Sequence, residues 1–176
     1  INETRTSAGD GIIPLLKQPE VITDLQVLDI INSKREQKNL KKLNINSNLN
    51  KAALIRLAVI NEFGDWEGSS SGMNREKAVL STAYFPATVG DIFSEQVDSL
   101  DTLISNIDAN PVDSETLNLK EFTDVGIAVK NYEKSSSVYV VFANPAKKVA
   151  SPIKSSAPVV QIQKVSWGGP EVWTVV

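Results

Sequence analysis

Phe122-Thr123-Asp124-Val125-Gly126-Ile127-Ala128-Val129, followed after a polar stretch by Val138-Tyr139-Val140-Val141-Phe142, is the part of the sequence on which the fold turns. Val125, Ile127 and Val129 recur at every second residue, and Val138, Val140 and Phe142 repeat the pattern. A period of two places side chains on alternate faces of a strand. Asn131 to Ser137 between the runs is polar and supplies the turn, so the two runs predict an antiparallel hairpin.

Upstream the period is helical. Thr23 or Asp24 is an N-cap candidate, and Leu25, Leu28 and Ile31 follow at three-residue steps, which predicts a first helix running into the polar Asn32 to Lys38. Ser47 or Asn48 caps a second helix through Phe63, with Leu49, Ala53, Arg56 or Leu57, and Ile60 on one face. Gly64 ends it and opens the loop Asp65-Trp66-Glu67-Gly68-Ser69-Ser70-Ser71-Gly72. A short helix from Asn74 to about Ala83, a brief strand around Thr88 to Phe93 and a helix from Glu95 to Ile107 complete the expected middle of the chain, the last ending before Asn110-Pro111.

The ends read differently. Residues 1–22 are broken by Gly9, Gly11, Pro14 and Pro19 and read as a leader or tether with an apolar patch at Ile12, Ile13, Leu15 and Leu16. Residues 23–145 read as the domain. Residues 146–176 begin as a Pro-, Lys- and Ser-rich linker and end in a second predicted hairpin, Val159 to Val165 with Glu171 to Val176, expected to pack on the domain.

Composition excludes several chemistries. The 176 residues contain no histidine and no cysteine. Ser-His-Asp and Cys-His catalysis, histidine-bearing zinc sites and disulfide staples are therefore absent from this sequence. A net charge of -3 from 18 basic and 21 acidic residues offers no broad cationic field for nucleic acid. Lys41-Lys42 and Lys147-Lys148 are isolated pairs of the kind that sit on solvated faces. No run approaches the roughly 20 apolar residues that span a bilayer.

Several words, in order, resemble the bacterial branch of the CAP superfamily, the cysteine-rich secretory, venom antigen and plant pathogenesis-related group. Val27-Leu28-Asp29-Ile30-Ile31-Asn32-Ser33-Lys34-Arg35 resembles its opening helix, VLxLINxxR. Leu40 and Leu43 followed by Asn48-Leu49-Asn50-Lys51-Ala52-Ala53 resemble its GLxPLxWNxxLxxAA passage. Asn110-Pro111-Val112-Asp113 lies where the family has SPGH, Phe122 to Val129 resembles FTEIGIGV, and Val138 to Phe142 resembles YYVQVF.

The resemblance spans about Leu25 to Ala143. It implies an α+β fold, a three-layer α-β-α sandwich with a small, mostly antiparallel sheet, and an extracytoplasmic address. It also implies a central cleft in which relatives place two histidines and two acidic residues that hold a divalent metal in some of them. Here the first histidine position falls at or beside Gly68 and the second on Asp113, while the glutamate of the family's GENI word becomes Asp91 in Gly90-Asp91-Ile92-Phe93. The tetrad is degenerate, so no catalytic residue, no metal ligand and no cofactor is assigned.

Three readings of the cleft follow. Without its histidines the domain is expected to be a non-enzymatic binding or structural module on the bacterial surface or secreted, with an unidentified protein or lipid ligand. The leader makes attachment through a lipidated N-terminus the specific version. A second reading takes Asp91, Asp113 and Glu67 as a cluster of hard oxygen ligands for a cation-dependent hydrolase. Against it, both aspartates are ordinary surface or capping carboxylates, with Asp113 or Ser114 capping a turn near Glu115. The third takes Trp66, Tyr84 and Phe85 as the lining of an apolar pocket for a lipid or sterol, against core packing of Tyr84 and Phe85. Trp66, in a Gly/Ser-rich loop with Glu67 beside it, is either tucked under that loop or exposed as a binding anchor. The Ser69-Ser70-Ser71 run has no base partner and reads as linker.

Overall fold

A computed structural model describes residues 20–147, 162–165 and 172–175. The chain divides into two units, residues 1–146 and 147–176. Residues 1–19 of the leader, with its apolar patch, the linker beyond residue 147 and the Gly168-Gly169-Pro170 turn lie outside the described residues. In the first unit the elements run α1 (Asp24–Gln37), β1 (Asn44–Ile45), α2 (Ser47–Phe63), α3 (Arg75–Ser81), β2 (Pro86–Val97), α4 (Leu100–Ala109), α5 (Pro111–Leu117), β3 (Asp124–Asn131) and β4 (Ser136–Pro145). The second unit contains β5 (Ile162–Val165) and β6 (Val172–Val175), an antiparallel pair in which Ile162 faces Val175.

The sheet of the first unit has the order β1-β3-β4-β2. β3 and β4 form the expected hairpin, with Ile127 opposite Val140, and β2 adds to β4 antiparallel, with Asp91 opposite Val141. Only β1 joins in parallel, through two residues. β4 is buried on both faces from Ser136 to Ala143. Its two-residue period therefore feeds two cores: Val138, Val140 and Phe142 join Val27, Ile31, Ile92, Leu103 and Ile127 on one side. Tyr139, Val141 and Ala143 join Leu49, Ala53, Leu57, Ile60 and Val79 on the other. This is the α-β-α sandwich the sequence predicts, five helices on a four-stranded mixed sheet.

Small residues set the spacing on the α2 side. A Cβ added at Gly126 would lie 2.1 Å from the carbonyl carbon of Leu49, so only glycine lets the first turn of α2 rest directly on β3. The Asn50 side chain then accepts the Ile127 N–H at 3.0 Å, beyond the reach of the short β1.

Buried polar side chains hold the opposite side. Arg35, fully buried, donates from Nε to the Lys41 carbonyl (2.9 Å) and from Nη1 to those of Leu117 (2.7 Å) and Leu119 (2.9 Å). Asn32 brackets Leu43, accepting its N–H at 2.8 Å and donating to its carbonyl at 3.3 Å. Both belong to the opening-helix word, and both tie loops to α1 by making hydrogen bonds that buried carbonyls and amides require.

Several expectations need correction. The buried seam of α1 is Val27, Ile31 and Arg35, whereas Leu25 is exposed. Thr23 caps α1 in a reciprocal box with Gln26, but α2 is capped by Asn46, ahead of both expected candidates, Ser47 and Asn48. β2 runs on to Val97 through a bulge at which Gln96 adopts φ +54°, so the next helix begins only at Leu100, after its cap Ser99. Asn110 caps α5 with Pro111 in the first turn, and Asp113 lies inside that turn as part of the helix. Ile22, read as leader, is core: Asn131 brackets its N–H and carbonyl, each at 3.0 Å.

Candidate functional site

The site is built on the α2 side of the sheet, where the Gly64 to Asn74 loop crosses the edge strand β2. α2 ends at Gly64, which takes φ +61°. The loop folds around Asp65, whose carboxylate accepts the N–H groups of Ser69 (3.0 Å) and Ser71 (2.7 Å). Hydrogen bonds from the Ser71 side chain and backbone hold the Asp65 carboxyl well below the usual carboxylate range. The serine run is therefore the N–H face of a carboxylate-organised turn.

Arg56 of α2 anchors the loop from below. It is 1% exposed, and its Nη2 donates to the carbonyls of Asp65 (3.3 Å) and Trp66 (2.5 Å) while Nη1 reaches the Met73 carbonyl. Trp66 is thereby fixed from its backbone outward. Its ring lies 5.2 Å from that of Phe93 on β2 and 6.4 Å, edge-on, from Tyr139 on β4, and yet the residue remains 44% exposed. Of the two alternatives for this residue, the structure gives a held ring with an open side.

Below the loop lies Asp91. Its Oδ2 accepts from the Tyr139 hydroxyl at 2.7 Å, and its Oδ1 accepts from Arg75 Nη1 at 2.8 Å. Arg75 also bonds Glu76 through Nε at 2.7 Å. Burial, the Asp91 charge and the hydrogen bond to Asp91 push the Tyr139 phenol above its ordinary range, so it remains a donor. The hydrogen bonds to Glu76 and Asp91 raise Arg75 and fix it as a cation. A cavity of about 260 Å³ is lined by Arg56, Trp66, Glu67, Asn74, Arg75, Glu76 and Asp91. A second, of about 440 Å³, lies against Trp66 as well and is lined by Ile60, Asn61, Gly64, Phe93 and Glu95.

The expected site residues fall in distinct places. Asp91, Trp66 and Glu67 meet in the first cavity. Gly68 adopts φ +76°, and a Cβ there would lie 2.5 Å from the backbone of Asn74; at this position the loop has no room for a histidine, or for any side chain. Asp113, 9% exposed, lines a different depression with Phe93, Ser94 and Asn106. Burial, and then the charge of Asp91, push its carboxyl up to about 6. The two aspartates feel one another without sharing a cavity. Among the described residues, no three acidic side chains come close enough together to hold a metal ion. The Asp91, Asp113 and Glu67 cluster that the hydrolase reading requires is therefore not assembled. Nor do the three aromatics of the lipid-pocket reading meet: Tyr84 is core, donating to Asp124 at 2.7 Å, and Phe85 is exposed.

Arg56 and Arg75 went unassigned in the sequence reading. Arg56 sits on the apolar face of α2, at a position shared with Leu57 in the heptad-like run, and an arginine on such a face signals a buried polar contact. Arg75 carries no such signal; only the fold brings it across to Asp91, sixteen residues on.

Comparison with known proteins agrees with this architecture. The chain superposes on an outer surface protein of Borrelia burgdorferi with a TM-score of 0.62 at 16% identity, covering 72% of this chain and 97% of that one. It matches an extracellular SCP-domain protein of Bacillus anthracis (TM-score 0.58, 16% identity) over 68% of this chain and 39% of that one. A cysteine-rich secretory protein of Staphylococcus aureus matches with a TM-score of 0.51 and 20% identity over 68% and 37%. No curated protein matches significantly by sequence. The model of the cysteine-rich secretory protein family matches residues 28–143, nearly the whole of the sandwich, and the chain, cysteine-free as it is, belongs to the CAP family.

Proposed function

We propose that this chain is a non-catalytic CAP domain that works outside the bacterial cytoplasm as a binding or structural module. The observation that carries the reading is the state of Asp91. Both of its oxygens are engaged within the protein, one by a guanidinium and one by a phenol. Each oxygen keeps a second lone pair, but a cation or a substrate that approached it would have to compete with the guanidinium already paired with the carboxylate. Here Arg75 supplies the positive charge that a metal would bring, and it does so from inside the chain.

Gly68 supports the same reading, since the loop is closed against a side chain at the position where relatives carry a ligand. The outer surface and extracellular proteins among the structural neighbours support an extracytoplasmic address. Attachment through a lipidated N-terminus is the finer form, and recovery of the full-length gene product in the detergent phase on partition is its expected result.

The test is hydrolysis. Peptide and ester substrates incubated with calcium, magnesium or zinc are expected to show no turnover that depends on Asp91. Metal-dependent turnover lost in Asp91→Ala would overturn the proposal.

A further inference from the structure

Trp66 is held more firmly than an exposed loop residue requires. Arg56 grips its carbonyl, Phe93 backs its ring, and Asp65 fixes the loop that carries it. A rigid aromatic surface with an open side loses little entropy on binding, which is the property of an anchor. Two cavities adjoin this one ring, and each pairs it with carboxylate and amide groups: Glu67, Asn74 and Asp91 on one side, Asn61 and Glu95 on the other.

The charges select among ligands. The first cavity is lined by two guanidinium groups and three carboxylates, and Arg75 is already bonded to two of those carboxylates. An anion would meet a net negative wall, and a cation seated at Asp91 would have to displace Arg75. A neutral ligand with many hydroxyls breaks no ion pair and can add hydrogen bonds. Capacity for them exists in the exposed carboxylates that line the two cavities, Glu67 in the first and Glu95 in the second. The cavity of about 260 Å³ is also smaller than the roughly 300–1,000 Å³ that encloses a drug-sized molecule. That size suits one small polar ring better than a sterol or an acyl chain.

We infer that the Trp66 platform and its two flanking cavities form a binding site for a neutral oligosaccharide, with one pyranose ring against the indole and adjoining rings hydrogen-bonded to Glu67 and Glu95. The apolar C–H face of the sugar covers the ring, and its hydroxyls meet the carboxylate and amide groups on either side. This inference rests on the binding reading of the cleft but fails separately from it. Hydrolysis dependent on Asp91 removes the binding reading, whereas absence of sugar binding removes only the ligand class.

The experiment is a titration of the chain with β-linked trisaccharides of glucose, galactose and N-acetylglucosamine. It follows the three indole N–H resonances by nuclear magnetic resonance, with Trp66 assigned from its loss in Trp66→Ala. The expected result is a saturable shift of the Trp66 resonance with at least one trisaccharide. Affinity should fall at least tenfold in Trp66→Ala and severalfold in Glu67→Ala, an exposed position whose change does not threaten folding. Three results would each overturn the inference: no Trp66 shift with any trisaccharide at tens of millimolar, affinity unchanged from the unsubstituted chain in both Glu67→Ala and Trp66→Ala, or a saturable response only to a sulfated glycan or a fatty acid.

Discussion

Replacing Asp113 by asparagine should make the protein more stable at neutral pH. The carboxyl is buried at the first turn of α5 and faces the charge of Asp91, which together push it from an ordinary 3.8 to about 6. The folded state therefore holds the Asp113 proton more tightly than the unfolded chain does. This contribution to stability is fully present below pH 4 and is lost as pH rises through 6, so above pH 7 the ionised group opposes folding. The shift corresponds to about 3 kcal/mol. Asparagine escapes that cost but forfeits the favourable placement of a negative charge in a helix's first turn, about 0.3–1 kcal/mol. A net stabilisation of about 2 kcal/mol is expected at pH 8, or roughly 4–8 °C in Tm.

Urea unfolding of both proteins between pH 4 and pH 8, followed by circular dichroism, measures it. The difference should be near zero at pH 4, rise through pH 6 and level off above pH 7. Groups that do not interact with Asp113 cancel in that difference, which reports Asp113 together with its interaction with Asp91. A destabilisation equal at pH 4 and pH 8 would refute the reasoning, because it would mean that the side chain contributes through shape alone.

Other substitutions probe the frame. Gly126→Ala drives a methyl group into the backbone of Leu49 and should cost at least about 3 kcal/mol, read as a lowered urea midpoint or loss of soluble protein. Arg56→Met leaves the carbonyls of Asp65, Trp66 and Met73 without their donor and should destabilise by about 3 kcal/mol, with Trp66 emission shifting to the red as its ring loosens. Asp65 has a carboxyl depressed below its ordinary value, so its contribution is present above pH 4 and fades as pH falls further. Protection of the Ser69 and Ser71 amides, measured against the exchange rates of unstructured amides at the same pH, should fall in that acid range, and in Asp65→Ala it should be low at every pH.

The hairpin of β3 and β4 was legible although both strands are buried on both faces, because in β3 the small Gly126 and Ala128 alternate with Val125, Ile127 and Val129, and β4 repeats the period through Val138, Val140 and Phe142. The length of β2 was not. Glu95 and Gln96 are exposed at the bulge and look helical when joined to Val97 and Leu100, and nothing local announces the left-handed Gln96. The face of α1 was misread for a related reason. Leu25 satisfies the spacing, but the true seam includes Arg35, a charged residue that composition places outside and that four carbonyls bring inside.

At the site, the resemblance located Asp91 and the loop of Gly68. It could not reveal that a guanidinium sixteen residues upstream in the chain would settle on the carboxylate. Such pairing depends on tertiary placement, and a lone Arg75-Glu76 dipeptide reads as solvated surface. Asp113 shows the converse: its side chain is buried as a metal ligand would be, yet it lines a separate depression from Asp91, so a shared sequence position does not carry a shared role.

The central claim is that Arg75 and Tyr139 satisfy the cleft carboxylate in place of a metal. Thermal unfolding of the full chain with calcium, magnesium, zinc or chelator, beside an Asp91→Ala/Asp113→Ala double variant, tests it most directly. A working site would add about 2.7 kcal/mol at a hundredfold excess of ion over its Kd. The account predicts the same transition with every ion and with chelator. A rise with one ion that disappears in the double variant would contradict it.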